Sequence, residues 1–526
     1  YLTRARNEHA KAGNLNNGLA HSTADLVAVF DADHAPTRDF LSRTVGYFSE
    51  DPKLFLVQTP HFFINPDPVE RNLVTFDSMP SENEMFYGLI QRGLDRWNSA
   101  FFCGSAALLR REALNDTSGF SGVSVTEDCE TALDLHSRGW SSLYVDRPLV
   151  AGLQPTTFAE FIGQRTRWAQ GMLQILLLKW PFFKRGLTFP QRICYASSTL
   201  FWMFPFARMI FLISPLFYLF FSLKIFNSSG SEFLAYVATY MIINILMQNY
   251  LYSRYRWPWY SELYEYIQGV YLIRPLISVF GNPYKPTFRV TSKDESRSEG
   301  RISELAAPFY VIFAVLCLAV VATVWRLITQ PYDTDITLVV GGWNLFNLVI
   351  VGCALGVVSE RRDLRKRERI EMSRRCEIFI DGKSIPGTII DASTGGVQIR
   401  VPAAEVRNVK ADDVIELQLG RSGTVETNKR LEVIVRGSQS EEGSVLLGCS
   451  MHATTADEFG VIADMVFSDS ERWVSFQERR RSEVGAVRGT LRFLATALFQ
   501  TGRGLLYLMM EIGNYNARKS APAGVR

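Results

Sequence analysis

The stretch LVAVFDADHAP, residues 26–36, places two aspartates one residue apart directly after a run of apolar residues. Leu26 to Phe30 is short and continuously apolar, which is typical of a strand buried on both faces of a parallel sheet. Asp31 and Asp33 then follow the carboxyl end of that strand, the edge at which open α/β sheets bind ligands. Two carboxylates at alternate positions suit a divalent cation that also holds phosphates. On these residues alone, a strand-to-loop turn rich in aspartate remains an alternative.

The residues around this stretch have the pattern of an α/β domain. Apolar runs at Leu54–Val57 and Ala106–Leu109 alternate with helical stretches through residues 1–190, as strands and helices do in such domains. With 526 residues, the chain exceeds one ordinary domain, so we expect several units. The sequence opens at Tyr1 inside the α/β pattern, and we expect part of this domain to precede it.

Four later segments are apolar enough to cross a membrane. Each is long enough, at about 1.5 Å per residue, to span a hydrocarbon layer of about 30 Å. Basic residues cluster beside them, whereas the loops at 224–232 and 326–335 carry one basic residue each. The positive-inside rule therefore places those two loops outside and everything else in the cytoplasm. The predicted spans are about Cys194–Leu223, Phe233–Tyr252, Leu305–Trp325 and Ile336–Val358.

Polar amides within two of these spans need a reason, because amides are costly against lipid. We expect them to face a polar path or protein, and contacts between packed helices are the alternative. They are Asn244, Gln248 and Asn249 in one span and Asn344 and Asn347 in another.

Composition argues against several other classes of protein. The formal net charge of +3 is too small to indicate a nucleic-acid partner. The seven cysteines have no paired spacing and none falls in the outer loops, so we expect no disulfide framework. The six histidines lack the spacing of a zinc site.

The segment between the second and third spans, residues 254–301, is rich in aromatic residues, proline and charge. Its stretch ELYEYIQGVYLIRPLISVF, residues 262–280, predicts a helix lying at the membrane surface. A helix buried in a protein core is the alternative.

After the fourth span the texture changes to short alternating strands. VQIRV at 397–401, IELQL at 415–419 and LEVIV at 431–435 are separated by turn residues, which predicts a small β-barrel. The tail returns to a helical pattern with one apolar stripe, so we expect this helix to pack on the barrel or to rest on the membrane. The stripe consists of Leu491, Leu494, Leu498, Leu505 and Leu508.

Four further motifs of the α/β domain are weak when taken singly. HAKAGNLN places Lys11 where it could meet a nucleotide phosphate, and FFCGS at 101–105 puts a glycine beside a strand, where a ligand can approach the backbone. TED at 126–128 offers two adjacent carboxylates, one of which could act as a base. QRTRW at 164–168 suits a diphosphate and a sugar face. A solvated lysine, a tight turn, an acid-rich helix start and a membrane-interface anchor are the respective alternatives.

In this order, the motifs resemble those of one family. DAD, TED and QRTRW are similar to the D-x-D, T-E-D and Q-x-x-R-W signatures of processive family 2 glycosyltransferases, with FFCGS between them as in cellulose synthases. FRVTSK at 288–293 resembles the F-x-V-T-x-K gating loop of bacterial cellulose synthase catalytic subunits. The resemblance covers nearly the whole chain. The upstream half of the transferase core and the spans before it are absent, so we expect no activity from these residues alone.

The resemblance implies a role for each motif residue. Asp31 and Asp33 would hold Mg²⁺ and the UDP diphosphate, and Asp128 would be the general base. The implied substrate-binding residues are Lys11, Cys103, Glu127, Gln164, Arg167 and Trp168, where Trp168 would stack under the terminal sugar. The implied gating residues are Phe288, Val290, Thr291 and Lys293.

The predicted barrel resembles a PilZ domain. DASTGG fits the D-x-S-x-x-G motif through Asp391, Ser393 and Gly396, and the basic run before it supplies the R-x-x-x-R motif. Two registers overlap there, Arg361 with Arg365 and Arg365 with Arg369. We favour the second, because Arg369 leads directly into the predicted first strand. Arginines can meet guanine and phosphate bidentately, as a cyclic dinucleotide requires, and a run held by anionic lipid is the alternative for some of them.

The implied fold is an α/β glycosyltransferase (GT-A-like) domain, an α-helical transmembrane region and a small PilZ β-barrel with a C-terminal amphipathic helix. The implied function is polymerisation of glucose from UDP-glucose into β-1,4-glucan and its export, activated by cyclic di-GMP. The implied cellular location is the bacterial inner membrane, and the implied partner is a membrane-anchored periplasmic subunit. Synthesis of another β-linked polysaccharide and a non-catalytic cyclic di-GMP receptor are the alternatives. The predicted units are 1–190, 191–253, 254–301, 302–358, 359–465 and 466–526.

Overall fold

A computed structural model describes most of the chain. The predicted gating residues Phe288, Val290, Thr291 and Lys293, and Arg365 of the basic run, lie outside the described residues. The described residues are 2–4, 10–225, 229–284, 300–362, 369–380, 382–406, 409–420, 430–481 and 483–520.

The first unit is an α/β domain, as its alternating pattern predicts. Its strands are β1 Leu26–Val29, β2 Ala35–Pro36, β3 Leu54–Gln58, β4 His61–Phe63, β5 Ala107–Arg110, β6 Ser141–Tyr144 and β7 Val150–Gly152. Its helices are α1 Ala10–Ala20, α2 Phe40–Thr44, α3 Tyr47–Glu50, α4 Pro68–Leu73, α5 Glu82–Met85, α6 Gln91–Asp95, α7 Arg111–Asp116, α8 Glu127–His136 and α9 Phe158–Lys179, with a π-turn at Phe86–Ile90.

The main sheet has the strand order β1-β5-β3-β6. Strand β5 is antiparallel to both β1 and β3, and only β3 and β6 are parallel. The prediction of a β1 strand buried on both faces of a parallel sheet is therefore wrong. Among the described residues β1 is an edge strand in which Val29 is buried and Ala28 is exposed. A short apolar run has the same pattern at an edge as in the centre of a sheet, which explains the error.

A second sheet has three strands in the order β2-β7-β4. Its strand β2 follows the aspartates directly in the chain. Strand β2 pairs antiparallel with β7, and β4 pairs parallel with β7. Because Asp31 and Asp33 connect β1 to β2, they lie between the two sheets.

The membrane region contains the α-helices α10 Phe189–Leu200, α11 Phe204–Phe221, α12 Gly230–Glu232, α13 Thr239–Tyr252, α14 Pro258–Gly281, α15 Ala307–Thr329 and α16 Thr334–Val358, and the short strands β8 Arg301–Ile302 and β9 Ser359–Glu360. Short 3-10 helices occur at Pro181–Phe183, Phe201–Met203 and Pro331–Asp333, and a π-helix at Phe233–Ala238. Among the described residues, 4 helical segments are long and apolar enough to cross a membrane, which agrees with the prediction. They are Phe189–Phe221, Gly230–Tyr252, Ala307–Thr329 and Pro331–Val358.

Helix α14 contains the segment predicted to lie at the membrane surface. It packs against α9 of the transferase domain and α11 of the membrane region, and Leu263, Ile267 and Leu272 are fully buried. Ile277 and Phe280 near its end remain exposed. The structure therefore favours the alternative in which most of this helix is buried in protein.

The amides within the spans have two different environments. Asn344 donates to the Leu316 carbonyl and Asn347 to the Phe211 carbonyl, at 3.2 Å each, so both bridge packed helices. In α13, Gln248 donates to Asn244 within the same helix. For Asn344 and Asn347 the helix-packing alternative is therefore the observed one.

The predicted barrel is present as a closed, six-stranded antiparallel barrel in the order β10-β11-β12-β15-β14-β13. Val397, Ile399 and Val401 point into its core, whereas Arg400 between them is exposed. This alternation is what the sequence pattern predicts. The strands are β10 Ile370–Ile380, β11 Lys383–Ser393, β12 Gly396–Pro402, β13 Val414–Leu419, β14 Arg430–Glu441 and β15 Ser444–Met451, with a 3-10 helix at Ala403–Glu405.

Three helices follow the barrel: α17 Ala456–Phe467, α18 Ser470–Arg480 and α19 Ala486–Ser520. Helix α19 packs along α16, the last span. The close approach depends on glycine, because a Cβ at Gly504 would lie 2.5 Å from the Leu355 Cβ. Of the predicted stripe, Leu491, Leu494 and Leu498 stay exposed. Among the described residues the helix packs chiefly on the last span, and its exposed leucines match the membrane-resting alternative.

Candidate functional site

The DAD motif and Lys11 form an ion pair at the end of β1. Lys11, on α1, donates from Nζ to Asp31 Oδ1 at 2.5 Å and to the Gly104 carbonyl at 2.6 Å. Burial acts to lower the pKa of Lys11, but the Asp31 carboxylate outweighs it and the pKa is raised. Burial likewise acts against the charge of Asp31, whose pKa Lys11 nevertheless lowers. Both groups are therefore held in their charged forms.

The FFCGS turn brings the DAD and TED motifs together. Gly104 has a φ of +82°, and a Cβ there would lie 2.9 Å from Asp128 Oδ2 and 3.2 Å from Lys11 Nζ. Glycine is required at this position both by the backbone conformation and by the space. The next residue, Ser105, accepts a hydrogen bond at its Oγ from the Asp31 N–H at 2.9 Å.

Three side chains in the stretch after β1 could hold a divalent cation. Asp31, Asp33 and His34 each offer a ligand atom, and these atoms lie within 4.8 Å of one another. The carboxylates suit Mg²⁺, and the imidazole extends the choice to transition metals. His34 Nδ1 is 2.7 Å from Ser105 Oγ, and this contact fixes the orientation of the imidazole ring. The donor set therefore fits the predicted cation.

The TED carboxylates lie in the first turn of α8. Asp128 accepts at Oδ1 from the Cys129 N–H at 2.8 Å. Burial raises the pKa of Asp128. Burial and the neighbouring Asp128 charge raise the pKa of Glu127 to about 7. A carboxylate with a raised pKa in a cleft is what a general base at neutral pH requires.

The two arginines of QRTRW, both on α9, point to different surroundings. Burial lowers the pKa of Arg167, and the opposing charges that act on it are those of Glu127 and Asp31. Arg167 therefore lies within electrostatic range of the Asp31 and Glu127 carboxylates. Arg165 instead donates to Asn83 at 3.0 Å and lies 4.7 Å from the centre of the Trp168 ring.

The remaining predicted residues of α9 are half-buried. Gln164 lies one helical turn before Trp168 on the same helix. The Trp168 ring centre is 6.5 Å from that of Trp202, in an edge-on arrangement. The indole is therefore positioned by the start of the membrane region as well as by α9.

Cys103 lies beside the site in an inert form. Its N–H donates to Gln58 Oε1 at 2.9 Å, and Gln91 donates to its sulfur at 3.0 Å. Burial raises the pKa of the thiol, and the nearby Asp128 charge raises it further. A neutral thiol is not a nucleophile, so Cys103 can line the site but does not supply covalent chemistry.

The barrel brings together its own predicted residues. Arg369 donates from Nη1 to Asp391 Oδ1 at 2.8 Å, and its Nη2 would be 3.8 Å from a Cβ at Gly396. Ser393 Oγ accepts from the Gly395 N–H at 3.3 Å. Arg361 is held elsewhere, because its backbone N–H donates to Asn72 Oδ1 at 3.0 Å and its side-chain Nε donates to the Asn72 carbonyl at 3.2 Å. This arrangement favours Arg369 over Arg361 as a member of the barrel site.

Comparison with known proteins follows the same division of the chain. Residues 26–253 match the family described as Glycosyl transferase family group 2, and residues 363–468 match the PilZ domain. A cellulose synthase catalytic subunit (UDP-forming) of Pseudomonas fluorescens is 35% identical over 512 residues, covering 96% of this chain and 68% of that protein. The chain belongs to the family of bacterial cellulose synthase catalytic subunits. The predicted family and fold class are thereby confirmed.

Other members of the cellulose synthase family are similar over much of the chain. The cellulose synthase 1 catalytic subunit (UDP-forming) of Komagataeibacter xylinus is 38% identical over 411 residues, 77% of this chain and 55% of its own length. The chain thus spans between about half and two thirds of the length of these two relatives.

Solved structures give only weak likenesses. A mannosyltransferase of Pyrobaculum calidifontis, in complex with GDP-Man and Mn²⁺, is 21% identical with a TM-score of 0.33, covering 50% of this chain and 65% of that one. The PilZ domain of the Escherichia coli protein YcgR, with c-di-GMP, is 10% identical with a TM-score of 0.18, covering 20% and 90%. Scores this low carry no argument about fold or ligand.

Sequence reasoning missed several residues that organise this cellulose synthase site. His34 and Ser105 were not assigned, although each directly follows or ends a predicted motif, DAD and FFCGS. Gln58 was also missed; it is fully buried and donates from its amide to the Ser105 carbonyl at 2.9 Å. The adjacency of His34 to two aspartates was an available signal, whereas nothing local indicates a role for Gln58.

Proposed function

We propose that the protein is a membrane-embedded, processive, inverting glycosyltransferase that polymerises glucose from UDP-glucose into β-1,4-glucan and exports it, under activation by cyclic di-GMP. The observation that carries the proposal is the convergence of Lys11, Asp31, Gly104 and Asp128 within a chain of the cellulose synthase family. It supports the proposal because it brings a carboxylate suited to a cation, a lysine suited to a phosphate and a candidate base close together.

The donor side binds the diphosphate of UDP-glucose. Asp31 and Asp33, with His34, hold Mg²⁺, which when bound stabilises the negative charge of the departing UDP. Lys11 neutralises Asp31 in the described state and is placed to meet a phosphate oxygen. Arg167 and Gln164 supply further donors from α9, and a guanidinium fits a phosphate bidentately. These residues orient the leaving group away from the acceptor.

The acceptor side removes a proton. Asp128 takes the proton from the 4-hydroxyl of the terminal glucose as that oxygen attacks the anomeric carbon from the face opposite UDP, so that the configuration inverts. The Cys129 N–H fixes one oxygen of Asp128 and leaves Oδ2 directed toward Gly104. Trp168 carries the terminal sugar on its indole face, and Cys103 and Glu127 line the acceptor position.

The barrel binds the activator. Arg369 and Asp391, with Ser393 and Gly396, form the described part of a cyclic di-GMP site, and Arg365 completes it. Guanidiniums can contact both the guanine edges and the phosphates of this ligand. Binding is proposed to free the FRVTSK loop, with Phe288, Val290, Thr291 and Lys293, so that UDP-glucose can enter.

Membrane spans and catalysis share one chain because the polymer must leave the cell. The transferase domain and the barrel face the cytoplasm of a bacterium, where UDP-glucose and cyclic di-GMP are available, and the loops at 224–232 and 326–335 lie outside. We propose that a membrane-anchored periplasmic partner receives the glucan.

The experiment uses the full-length protein in membrane vesicles with Mg²⁺, cyclic di-GMP and labelled UDP-glucose, with unlabelled UDP-N-acetylglucosamine as a competing donor. The insoluble label is then digested in parallel with a β-1,4-glucanase and a β-1,3-glucanase. The proposal predicts incorporation that resists the competing donor and a product degraded only by the β-1,4-glucanase. Product degraded by the other enzyme, or efficient competition, would indicate a different polysaccharide.

A failure to incorporate label has a separate meaning. If the vesicles bind cyclic di-GMP but incorporate no label even when a periplasmic partner is supplied, the protein is a receptor and not a synthase.

A further inference from the structure

The helices after the barrel dock beside the cation-binding aspartates. Trp473, on α18, is buried and stacks on Phe62 of β4, with ring centres 4.7 Å apart and planes at 27°. Ala151 of β7 belongs to the same cluster. Helix α18 thus covers the small sheet whose first strand, β2, begins directly after His34.

One buried carboxylate links three distant segments at this junction. Asp464 of α17 pairs through Oδ1 with Arg38 at 2.6 Å and through Oδ2 with Arg374 of β10 at 2.7 Å. Arg374 and Asp464 are both buried, whereas Arg38 is about one third exposed. The Arg38 N–H also donates to the Ser468 carbonyl at 3.3 Å.

A second link is made by Asp39, the residue after Arg38. Ser470 donates from Oγ to Asp39 Oδ2 at 2.9 Å and accepts from Arg147 Nη2 at 3.0 Å. Asp39 and Ser470 are separated by 431 positions in the chain, so this contact ties the transferase domain to the segment after the barrel.

These two links act on the same short stretch that carries the cation ligands. At the beginning of this stretch, Ser105 Oγ accepts a hydrogen bond from the Asp31 N–H and contacts the His34 ring. At its end, Arg38 and Asp39 are the residues that α17 and α18 hold. Between them, β2 pairs Ala35 and Pro36 with β7, and the Thr37 N–H donates to the Leu149 carbonyl at 2.8 Å. The contacts at the two ends add to this pairing in setting the position of the ligand loop.

We propose that Arg38 and Asp39 are positioning residues for the Asp31–His34 loop, and that Asp464 and Ser470 hold them so that the loop binds the cation and the diphosphate. This inference rests on the proposed function, because it assigns the loop to a nucleoside diphosphate bound with a divalent cation. It adds the segment after the barrel to the determinants of donor affinity.

Arg38→Met is the informative variant. Methionine has a side chain of similar length but no guanidinium. The variant leaves the buried Asp464–Arg374 pair intact, so no buried charge loses its only partner. Loss of one partly buried ion pair predicts that the KM for UDP-glucose and the Mg²⁺ concentration at half-maximal rate each rise about fivefold. At saturating UDP-glucose and Mg²⁺ the variant loop is fully occupied by the same ligands, so kcat stays within about twofold. Arg38→Lys restores part of the affinity.

Glu70→Gln is the matched control. Glu70 pairs with Arg480 of α18 at 2.8 Å, and both side chains are buried, so the variant weakens another contact between α18 and the transferase domain. That contact does not involve the residues of the ligand loop. We expect a lower Tm with an unchanged KM and an unchanged Mg²⁺ requirement.

The inference is overturned if Arg38→Met lowers only kcat or the amount of folded enzyme, or if Glu70→Gln raises KM to the same extent. Its fate is separable from that of the proposed function through equilibrium binding of labelled UDP in the presence of Mg²⁺, which needs no polymer. Weaker UDP binding by Arg38→Met supports the inference even if the wild type makes no β-1,4-glucan, whereas unchanged UDP binding contradicts it.

Discussion

The transferase site and the barrel site assemble charged groups at different ranges along the chain. In the barrel, Asp391, Ser393 and Gly396 belong to one hairpin, and Arg369 pairs with it across neighbouring strands. In the transferase domain, Lys11, Asp31, Gly104 and Asp128 come from separate elements. A hairpin can carry its site as a local motif, but a composite cleft depends on every segment that supports it. Substitutions in the barrel motif should therefore disturb the structure of one hairpin, whereas substitutions in the cleft should disturb contacts among several elements.

The largest effect is expected for Asp128→Asn. The amide keeps the shape of the side chain but cannot accept the proton, so glucan synthesis should fall by about 10²–10⁴-fold. Rates are measured in vesicles with labelled UDP-glucose, and cyclic di-GMP binding to the same preparation serves as the control for folding. If the variant keeps most of the rate, Asp128 is not the base. The transferase site would then not depend on Asp128 as the comparison of the two sites assumes.

The next effect concerns the barrel. Arg369→Ala removes a charged, bidentate donor, which should weaken cyclic di-GMP binding by about 10–100-fold. Arg361→Ala is the matched control, because the Arg361 side chain donates from Nε to the Asn72 carbonyl of the transferase domain at 3.2 Å. Equilibrium binding of the labelled dinucleotide separates them. A larger loss for Arg361→Ala would reverse the register assigned to the basic run.

A pH profile sharpens the comparison on the side of the cleft. The pKa of Glu127 is raised to about 7 and that of Asp128 is raised too, because burial disfavours their charged forms. A base acts only when deprotonated, so the rate should decline as the pH falls through the raised pKa of Asp128, approaching tenfold per unit well below it, and level off above. The measurement is kcat/KM between pH 5.5 and 8.5, with dinucleotide binding as the control for folding. A flat profile down to pH 5.5 would contradict the assignment.

The smallest effect is expected outside both sites. Asn344→Ala removes a hydrogen bond to the Leu316 carbonyl between two packed spans, which should cost about 0.5–1.5 kcal/mol of stability. Thermal unfolding in detergent measures this loss, and the KM for UDP-glucose should not change. A selective loss of polymer export with unchanged stability would instead place Asn344 on a polar path.

Local patterns predicted much of this molecule. The alternation of Val397, Ile399 and Val401 gives the barrel strand directly, because side chains of a strand alternate between its faces. The apolar runs also predict the four membrane-capable segments, because length and composition suffice to recognise such helices. The motifs DAD and TED also identify the charged groups that the fold brings together.

Features that depend on distant contacts were not predicted. The edge position of β1 follows from pairing with β5, about 80 residues later in the chain, and α14 is buried because α9 and α11 enclose it. The contact of Ser470 with Asp39 leaves no trace in either local sequence. Apolar periodicity states that a face is buried but not by which element, so such contacts become visible only in three dimensions.

The most direct test of the account is a cyclic di-GMP titration of the full-length protein in membrane vesicles, supplied with Mg²⁺, labelled UDP-glucose and the periplasmic partner, for the wild type and Asp128→Asn. The account predicts that the wild type forms insoluble, β-1,4-glucanase-sensitive product in proportion to dinucleotide occupancy, and that Asp128→Asn binds the dinucleotide equally well but forms none. Product that is independent of the dinucleotide, or equal synthesis by Asp128→Asn, would contradict it.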